Sequence, residues 1–448
     1  MKHPAYPRTK PSGVEWLGDV PEHWETRKFS REVMIAEGQV DPEKEPYLSM
    51  LLVGPEHVES GTGRLLGQVT AAEQAAESGK YYCRQGDVIY SKIRPALRKL
   101  VIAPTDCLCS ADMYPLRARQ RLQNEFIYWL FLSQSFAAWS VLESDRVAMP
   151  KINRDTINEL RMPVPPKAEQ SAIAAFLDLE TGRVDRLVAK KRELIERLKE
   201  KRTALISRTV TRGLPPAAAR AAGLPANPPL KPSDLDWLGD IPKHWEALTV
   251  RRRAIRIQTG GTPPTAEERF YEDGTVPWFG PGSFDDQIVV SEPIKLLNAS
   301  AVKEGAARMF AAGATMVVTI GATLGKVSSL TEAGSCNQQI TVIEFDHRRI
   351  HPRFATYQLK RLEPALRAIA PSATLPILDQ GEIADIALGV PPLPEQAAIA
   401  AYLDMETAKL DALVGKVEEA VERLQEYRTA LITAAVTGKI DVRKEIEP

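Results

Sequence analysis

The chain has 448 residues, room for two or three domains, and its 44% hydrophobic and 26% charged content is that of an ordinary water-soluble fold. Its 58 basic residues are matched by 58 acidic ones, so net charge makes no case for a nucleic acid, and any such surface must be local. The longest apolar runs, such as Met316 to Leu324, are too short to cross a bilayer and no signal peptide opens the chain. Cys83, Cys107, Cys109 and Cys336 lack metal-ligand spacing and are too few for a disulfide framework. A cytoplasmic protein without a metal centre is expected.

In chain order, the first feature is a leading segment from Lys10 to Glu25 that carries Trp16-Leu17-Gly18-Asp19 and then Pro21-Glu22-His23-Trp24. It returns from Lys231 to Glu246 with Trp237-Leu238-Gly239-Asp240 and Pro242-Lys243-His244-Trp245. These tryptophans read as anchors packing the start of a domain, with His23 and His244 as structural residues. A body follows from Thr26 to Val164. Within it Gly86 to Ile93 reads as a turn and a buried strand, and Lys80, Arg84, Lys92, Arg94, Arg98 and Lys99 face a single acid, Asp87. That stretch is a candidate phosphate-contacting edge. A helical stretch from Asn124 to Leu142 and a loop at Met149-Pro150-Lys151-Ile152 complete the body.

Pro165-Pro166-Lys167-Ala168-Glu169-Gln170 then opens a long helix ending near Thr211. Proline suits a first helical position, and an early glutamate meets the positive end of the helix dipole. Ile173, Leu177, Val184, Leu187, Leu194, Leu198 and Leu205 recur in steps of three and four, a coiled-coil seam, with Glu180, Lys191 and Lys201 also falling on it. About 44 residues at 1.5 Å rise would reach roughly 66 Å, long for a globular helix. From Arg212 to Lys231 a Pro-, Ala- and Gly-rich stretch reads as a linker with little fixed structure.

A second body runs from Ala247 to Val390. Gly313 to Ile320 repeats the turn and strand of the first body, Lys326 stands where Lys99 stood and Cys336 where Cys109 stood, and helices are expected from Pro352 to Ile369, then a loop at Leu375-Pro376-Ile377-Leu378. Pro391-Pro392-Leu393-Pro394-Glu395-Gln396 opens the second long helix, with a seam at Ile399, Leu403, Leu410, Leu413, Val417, Leu424 and Leu431, joined by Ala420 and Tyr427 and interrupted at Glu406. Arg202-Thr203-Ala204-Leu205-Ile206 returns unchanged as Arg428-Thr429-Ala430-Leu431-Ile432, and agreement over most of both helices marks a duplication. The expected domains are 1–165, 166–212, 213–230, 231–391, 392–437 and a tail at 438–448.

Two motifs fail on inspection. Asn227-Pro228-Pro229-Leu230 has leucine where an amino-methyltransferase motif needs an aromatic ring to stack on the target base, and no glycine-rich methyl-donor turn accompanies it. Gly321-Ala322-Thr323-Leu324-Gly325-Lys326-Val327 is one residue short of a phosphate loop and has valine where a hydroxyl must meet magnesium.

The doubled Pro-Pro-x-x-Glu-Gln helix, the doubled Trp-Leu-Gly-Asp-x-Pro-x-His-Trp segment and two divergent bodies together resemble the DNA specificity subunits of type I restriction–modification enzymes, over nearly the whole chain. The resemblance implies an α+β fold: two mixed target recognition domains in tandem pseudo-repeat, separated by two conserved helices in an antiparallel coiled coil. Topology agrees, since each body precedes its own helix and only an antiparallel pair puts one body at each end. The same pseudo-symmetry predicts that the tail after Thr437 returns beside the leading segment at Lys10.

The function this implies is non-catalytic: recognition of a bipartite double-stranded DNA target, with phosphate contacts fixing position and base-edge contacts supplying choice. Half-sites on one DNA face lie roughly 34 to 36 Å apart, so the helices would act as a ruler. The expected DNA contacts are Lys92, Arg94, Arg98 and Lys99, then Thr319, Thr323 and Lys326 in the second body, with Lys151, Arg154, Gln338 and Gln339 behind them. Two methyltransferase subunits are expected on the helices, with restriction subunits as further partners. S-adenosylmethionine, ATP and Mg belong to those partners and no cofactor to this chain. The rivals are a duplicated coiled-coil scaffold without DNA specificity and a self-contained DNA methyltransferase or nuclease.

Overall fold

The computed structural model describes residues 3–144, 150–235, 237–290, 292–369 and 377–445. The expected loops at Met149 and at Leu375-Pro376 fall at least partly outside them. The chain divides into two units, Met1–Glu193 with Val417–Pro448, and Leu194–Lys416. Each therefore contains one body, part of the helix that follows it and part of the other long helix.

In the first unit the leading segment forms a hairpin, Thr9–Pro11 against Asp19–Pro21. Glu25–Lys28 then pairs antiparallel with Arg161–Val164, the strand that runs into the long helix. Between them lie two sheets. The first orders Val33–Ile35, Met113–Ala118, Val88–Ser91 and Leu100–Ile102, all antiparallel. The second orders Gln39–Val40, Lys80–Cys83, Cys107–Cys109 and Leu52–Val53, the last pair parallel. The expected strand over Gly86 to Ile93 is thus found at Val88–Ser91, all four residues buried. The helical stretch is Asn124–Leu142 in two pieces, broken at Ser133, whose hydroxyl caps the second by accepting from the Phe136 N–H.

The second unit repeats this frame. Leu230–Pro232 pairs with Asp240–Pro242, Glu246–Thr249 with Ala387–Val390, and a sheet orders Ala254–Thr259, Ile340–Phe345, Thr315–Val318 and Val327–Ser329. Its second sheet differs. Val276–Phe279 runs parallel to Ser335–Cys336, as Leu52–Val53 does to Cys107–Cys109, but the remaining strand, Lys295–Leu297, lies on the opposite edge. Residues 213–230 are not the structureless stretch expected. Pro216–Ala221 is helical, and Leu214 and Ala219 are buried in one core with Leu238, Ile241 and Trp245. An alanine-rich run helps itself into a helix once one apolar face has somewhere to pack.

The repeated Glu-Gln pair is a fastener. Glu169 and Glu395 are each buried third residues of their helices or next to it, in the first turn of Lys167–Arg212 and Leu393–Val436. Glu169 accepts from Trp24 Nε1 at 3.1 Å and lies 2.8 Å from His23 Nε2; Glu395 does the same with Trp245 at 3.2 Å and His244 at 2.8 Å. Glu169 also accepts from the Tyr6 hydroxyl, and burial, then that bond, pushes the Tyr6 phenol well above its ordinary range. Gln170 accepts from the Gln123 N–H at 2.9 Å, and Gln396 from the His351 N–H at 2.7 Å. His23, His244, Trp24 and Trp245 are the structural anchors expected of them, whereas Trp237 is 45% exposed, and each buried carboxylate is tolerated because it has polar donors plus the helix terminus.

The two long helices pair antiparallel within each unit. In the first, Ile173 and Leu177 share a core with Leu431, Ile432 and Val436, while Val184 and Val188 meet Val421 and Leu424. In the second, Ile206 and Val210 share a core with Ile399 and Leu403, and Arg202 lies 2.9 Å from Asp411. Rising numbers on one helix meet falling numbers on the other in both. The tail also returns as expected. The Asp441 N–H donates to the Pro4 carbonyl at 2.7 Å, Lys439 Nζ to that of Asp19 at 2.6 Å, and Val442 is buried in the first core.

The seam itself departs from the expectation. Ile173, Leu177, Val184, Ile399, Leu403, Leu410 and Leu431 are buried, and Leu198, Leu205, Val417 and Leu424 half-buried. Leu187, Leu194 and Leu413 are 49%, 44% and 48% exposed, and Tyr427 is exposed too. The buried stripe runs instead through Thr181, Val188, Ile195, Arg202 and Ile206, and through Thr407, Val421 and Arg428. A straight helix drifts about 20° per heptad against a 3.5-residue repeat, and the polar members hide the true stripe from a hydrophobic pattern. Thr181 and Thr407 fit there by donating to the carbonyls of Leu177 and Leu403.

Candidate nucleic-acid interface

The Lys80 to Leu100 stretch is a strand, a crossing and two strands of a hairpin, and it does not present one uniform basic edge. Lys80 is buried and donates to the Ser78 carbonyl and hydroxyl. Lys99 Nζ donates to the Pro55 carbonyl at 2.7 Å, and Lys326, at the matching place, donates to that of Phe284 at 2.9 Å. Both amines thus tie the hairpin to the loop after the parallel strand. Arg98 donates to the Leu132 carbonyl at 3.3 Å, and burial, then the nearby Arg428 charge, lowers its guanidinium below the ordinary value.

Lys92 and Arg94 are more available. Lys92 Nζ sits 5.4 Å from the Tyr114 ring centroid, with the Arg154 guanidinium 5.6 Å from the same ring, and Arg94 is exposed. Arg94 and Arg98 both have φ of 47°, the left-handed region, and the matching residues of the second unit are Gly321 and Gly325 with φ of 99° and 89°. The fold demands left-handed backbone at both places, which glycine takes freely and arginine takes at a cost. In the second unit the turn from Gly321 to Lys326 joins two antiparallel strands, so the phosphate-loop resemblance there has no helix to support it.

Of the remaining candidates, Lys151 is exposed on a bridge to Ile93, and Arg154 pairs with Glu37 at 3.0 Å. Thr319 is buried just past the strand Thr315–Val318 and its hydroxyl is engaged with the Gln339 carbonyl and Thr341, which makes it a residue of the fold's interior. Thr323 is half-buried, Gln338 is exposed and accepts from Thr262, and Gln339 accepts from Asn337 Nδ2 at 3.0 Å.

A denser basic surface lies where residue spacing alone did not point. Along the edge strand Val33–Ile35 of the first unit, a concavity of about 610 Å³ is lined by Arg84, Arg117, Arg119 and Arg154 with Met34 and Tyr82. Arg31 and Arg121 continue it past the same strand. Arg117 is held by Asp87 at 2.6 Å, but Arg31, Arg84 and Arg119 make no ion pair among the described residues. The fold brings these arginines together from four separate stretches, and sheet register sets Arg117 opposite Met34. In the second unit the positions matching Arg117 and Arg119 are Glu344 and Asp346, which pair with Arg256 at 3.6 Å and with Arg348 at 3.3 Å, so acids held by arginines replace arginines on the same frame. Free guanidinium groups over an apolar ledge suit a polyanion that is both charged and stackable.

Two mixed bodies built on one repeated frame, each on paired long helices, define a tandem α+β protein. The sequence profile of the type I restriction modification DNA specificity domain matches residues 21–198 and again 254–423, and the chain belongs to that family. By that membership it is a specificity component, non-catalytic in its own right. It is 35% identical over 157 residues to the type I restriction enzyme EcoDI specificity subunit of Escherichia coli, a stretch covering 35% of this chain and 34% of that one. The putative type I restriction enzyme MjaX specificity subunit of Methanocaldococcus jannaschii matches at 21% identity over 95% of this chain and 96% of its own. Among solved structures, the HsdS subunit from Thermoanaerobacter tengcongensis shares the fold with a TM-score of 0.51 at 19% identity over 94% of this chain and 98% of its own. A chain from work on complex assembly and conformational transition of the type I R-M system does so with a TM-score of 0.73 at 20% identity, over 94% of this chain and 99% of its own. No helix among the described residues is long and apolar enough to cross a membrane.

Proposed function

We propose that each unit reads one half of a split double-stranded DNA target, with the paired helices setting the spacer. One observation carries this reading: the two units share their sheet order, their Glu-Gln fastener and their helix pairing, yet differ in the second sheet and in the charge of the surface beside it. Selection that keeps a frame and varies a face is what independent recognition of two sequences requires. In the first unit Arg31, Arg84, Arg94 and Arg119 hold phosphates and Lys92, Lys151 and Arg154 stand beside them, a division of labour in which phosphate contacts position the body. In the second, Thr323 and Gln338 offer neutral polar contacts.

Partner docking follows the same duplication. Leu179 and Leu187 are exposed on the first unit's helices, and Met405 and Leu413 occupy the matching exposed places in the second. Equivalent apolar faces fit two copies of one partner, the methyltransferase subunit, which brings S-adenosylmethionine; restriction subunits bring ATP and Mg. A cytoplasmic setting suits that assembly. Methylation-sensitive sequencing of DNA from cells carrying this chain with its methyltransferase partner tests the reading. A single split motif with a modified adenine in each half is expected, and a continuous motif or none overturns it. Salt-dependent DNA binding by the purified chain with a preference for one split sequence would exclude the scaffold, and failure to bind DNA would favour it.

A further inference from the structure

Arg428 and Arg202 hold equivalent places in the duplicated Arg-Thr-Ala-Leu-Ile phrase, and both are buried on the helix-pairing face, 6% and 8% exposed. Their donors are satisfied very differently. In the first unit Arg428 pairs with Asp185 at 3.0 Å and donates to the carbonyls of Gly61 and Thr62 at 3.1 and 3.2 Å. In the second unit Arg202 has Asp411 2.9 Å from Nε, but neither Nε nor Nη2 has an aligned hydrogen-bond partner. The counterpart of the loop that supplies two carbonyl oxygens to Arg428 follows Val276–Phe279, and it brings Asp286 to the space beside Arg202 without a hydrogen bond to that arginine among the described residues. A cavity of about 210 Å³ lies there instead, lined by Arg202, Thr203, Lys360, Arg361, Asp286 and Glu363.

The replacements around that cavity are cationic. Lys360 and Arg361 stand where the first unit has Leu132 and Ser133. Arg361 uses Nη1 on the Trp237 carbonyl at 2.9 Å, while its Nε and Nη2 are buried without a partner. Lys360 is taken by Glu363 at 3.1 Å and the Val327 carbonyl at 3.0 Å, and Glu363 also accepts from the Val327 N–H, so that acid is spent. Lys199, also lining the cavity, faces Glu196 at 3.6 Å, and exposed Asp286 is the acid left opposing an incoming anion. Arg202 and Arg361, each with Nε and Nη2 lacking a hydrogen-bond partner, therefore line a space well above the roughly 10 to 15 Å³ of such volume that one water needs. Buried donors without acceptors are rare and costly, and an acceptor-only ligand satisfies them all.

We infer that this cavity in the second unit binds a tetrahedral oxyanion, with Arg202 and Arg361 as its principal donors. The anion is either a free phosphate or sulfate or a backbone phosphate of bound nucleic acid, and it takes the place of the loop carbonyls that Arg428 enjoys. Calorimetric titration of inorganic phosphate into the full chain, at ionic strength held constant with chloride, should show one saturable site. Arg361→Gln should weaken it at least roughly tenfold, the loss expected from charge-assisted hydrogen bonds. Asp286→Asn, at an exposed position that leaves folding alone, should tighten it roughly threefold. Arg8→Gln, an exposed arginine of the first unit, should leave it unchanged. Duplex DNA separates the two sources: if a backbone phosphate fills the cavity, Arg361→Gln lowers the slope of log K against log salt by about 0.9, and if a free anion does, the slope stays. Absence of a saturable site, equal affinity in Arg361→Gln and wild type, or a crystal grown in phosphate with only water in the cavity overturns the inference.

Discussion

The two units solve one structural problem with one set of residues and two recognition problems with different ones. Where a helix must be started and fastened to the leading segment, they agree atom for atom: Glu169 and Glu395 take the same indole and imidazole at distances within 0.1 Å of each other. Where the chain faces outward, they part. Arg117 and Arg119 give way to Glu344 and Asp346, Arg94 and Arg98 to Gly321 and Gly325, and a strand moves from one edge of the second sheet to the other. The lesson is that repetition in this chain marks what is buried and polar, while divergence marks what is exposed. The arginines at left-handed positions sharpen it, because a residue that keeps an unfavourable backbone usually does so for its side chain.

The comparison can be broken most easily at the fasteners. Glu169→Leu strips partners from Trp24, His23 and Tyr6 at once and should cost about 3 kcal/mol or more in urea unfolding, while Glu395→Leu, which lacks a tyrosine partner, should cost less. Equal losses would mean that the Tyr6 contact adds nothing. Next comes the arginine pair. Arg428→Met should destabilise by about 2 kcal/mol more than Arg202→Met, because both lose an aspartate partner, Asp185 or Asp411, but only the first also loses bonds to the Gly61 and Thr62 carbonyls.

A smaller effect tests the true seam. Val188→Ala should cost about 1.6 kcal/mol, two buried methylene equivalents, whereas Leu187→Gln, on an exposed face, should stay within about 0.5 kcal/mol; the reverse order would restore the seam read from spacing. The finest test concerns the charged face. Arg119→Ala should lower the salt slope of DNA binding by about 0.9 with little change in unfolding, while Asp346→Ala should leave the slope or raise it. If both variants behave alike, the charge contrast between the units has no part in binding DNA.

Much of this was legible in the residues because duplication is a signal that survives divergence. The doubled Trp-Leu-Gly-Asp and Pro-Pro-x-x-Glu-Gln phrases announce two units, and the order of body before helix dictates antiparallel pairing. The partners of the repeated residues were not legible. Asp185 and Asp411 stand far in sequence from Arg428 and Arg202, although both aspartates recur at the same spacing as the arginines, a signal that pairing the repeats position by position would have found. Gly54-Pro55 and Gly280-Pro281, each just after a strand parallel to the Cys109 or Cys336 strand, were a similar unread echo.

The sequence by itself determined the number of units, their helices, the turn-and-strand at Val88 and Thr315, and the return of the tail to the leading segment, because these depend on local period, capping and repetition. Tertiary structure alone decided which stripe of each helix is buried, which basic residues are spent inside the fold and which arginines gather beside Met34. Those outcomes depend on sheet register and helix drift, where a displacement of one residue turns a side chain from core to solvent, and no local pattern records that displacement.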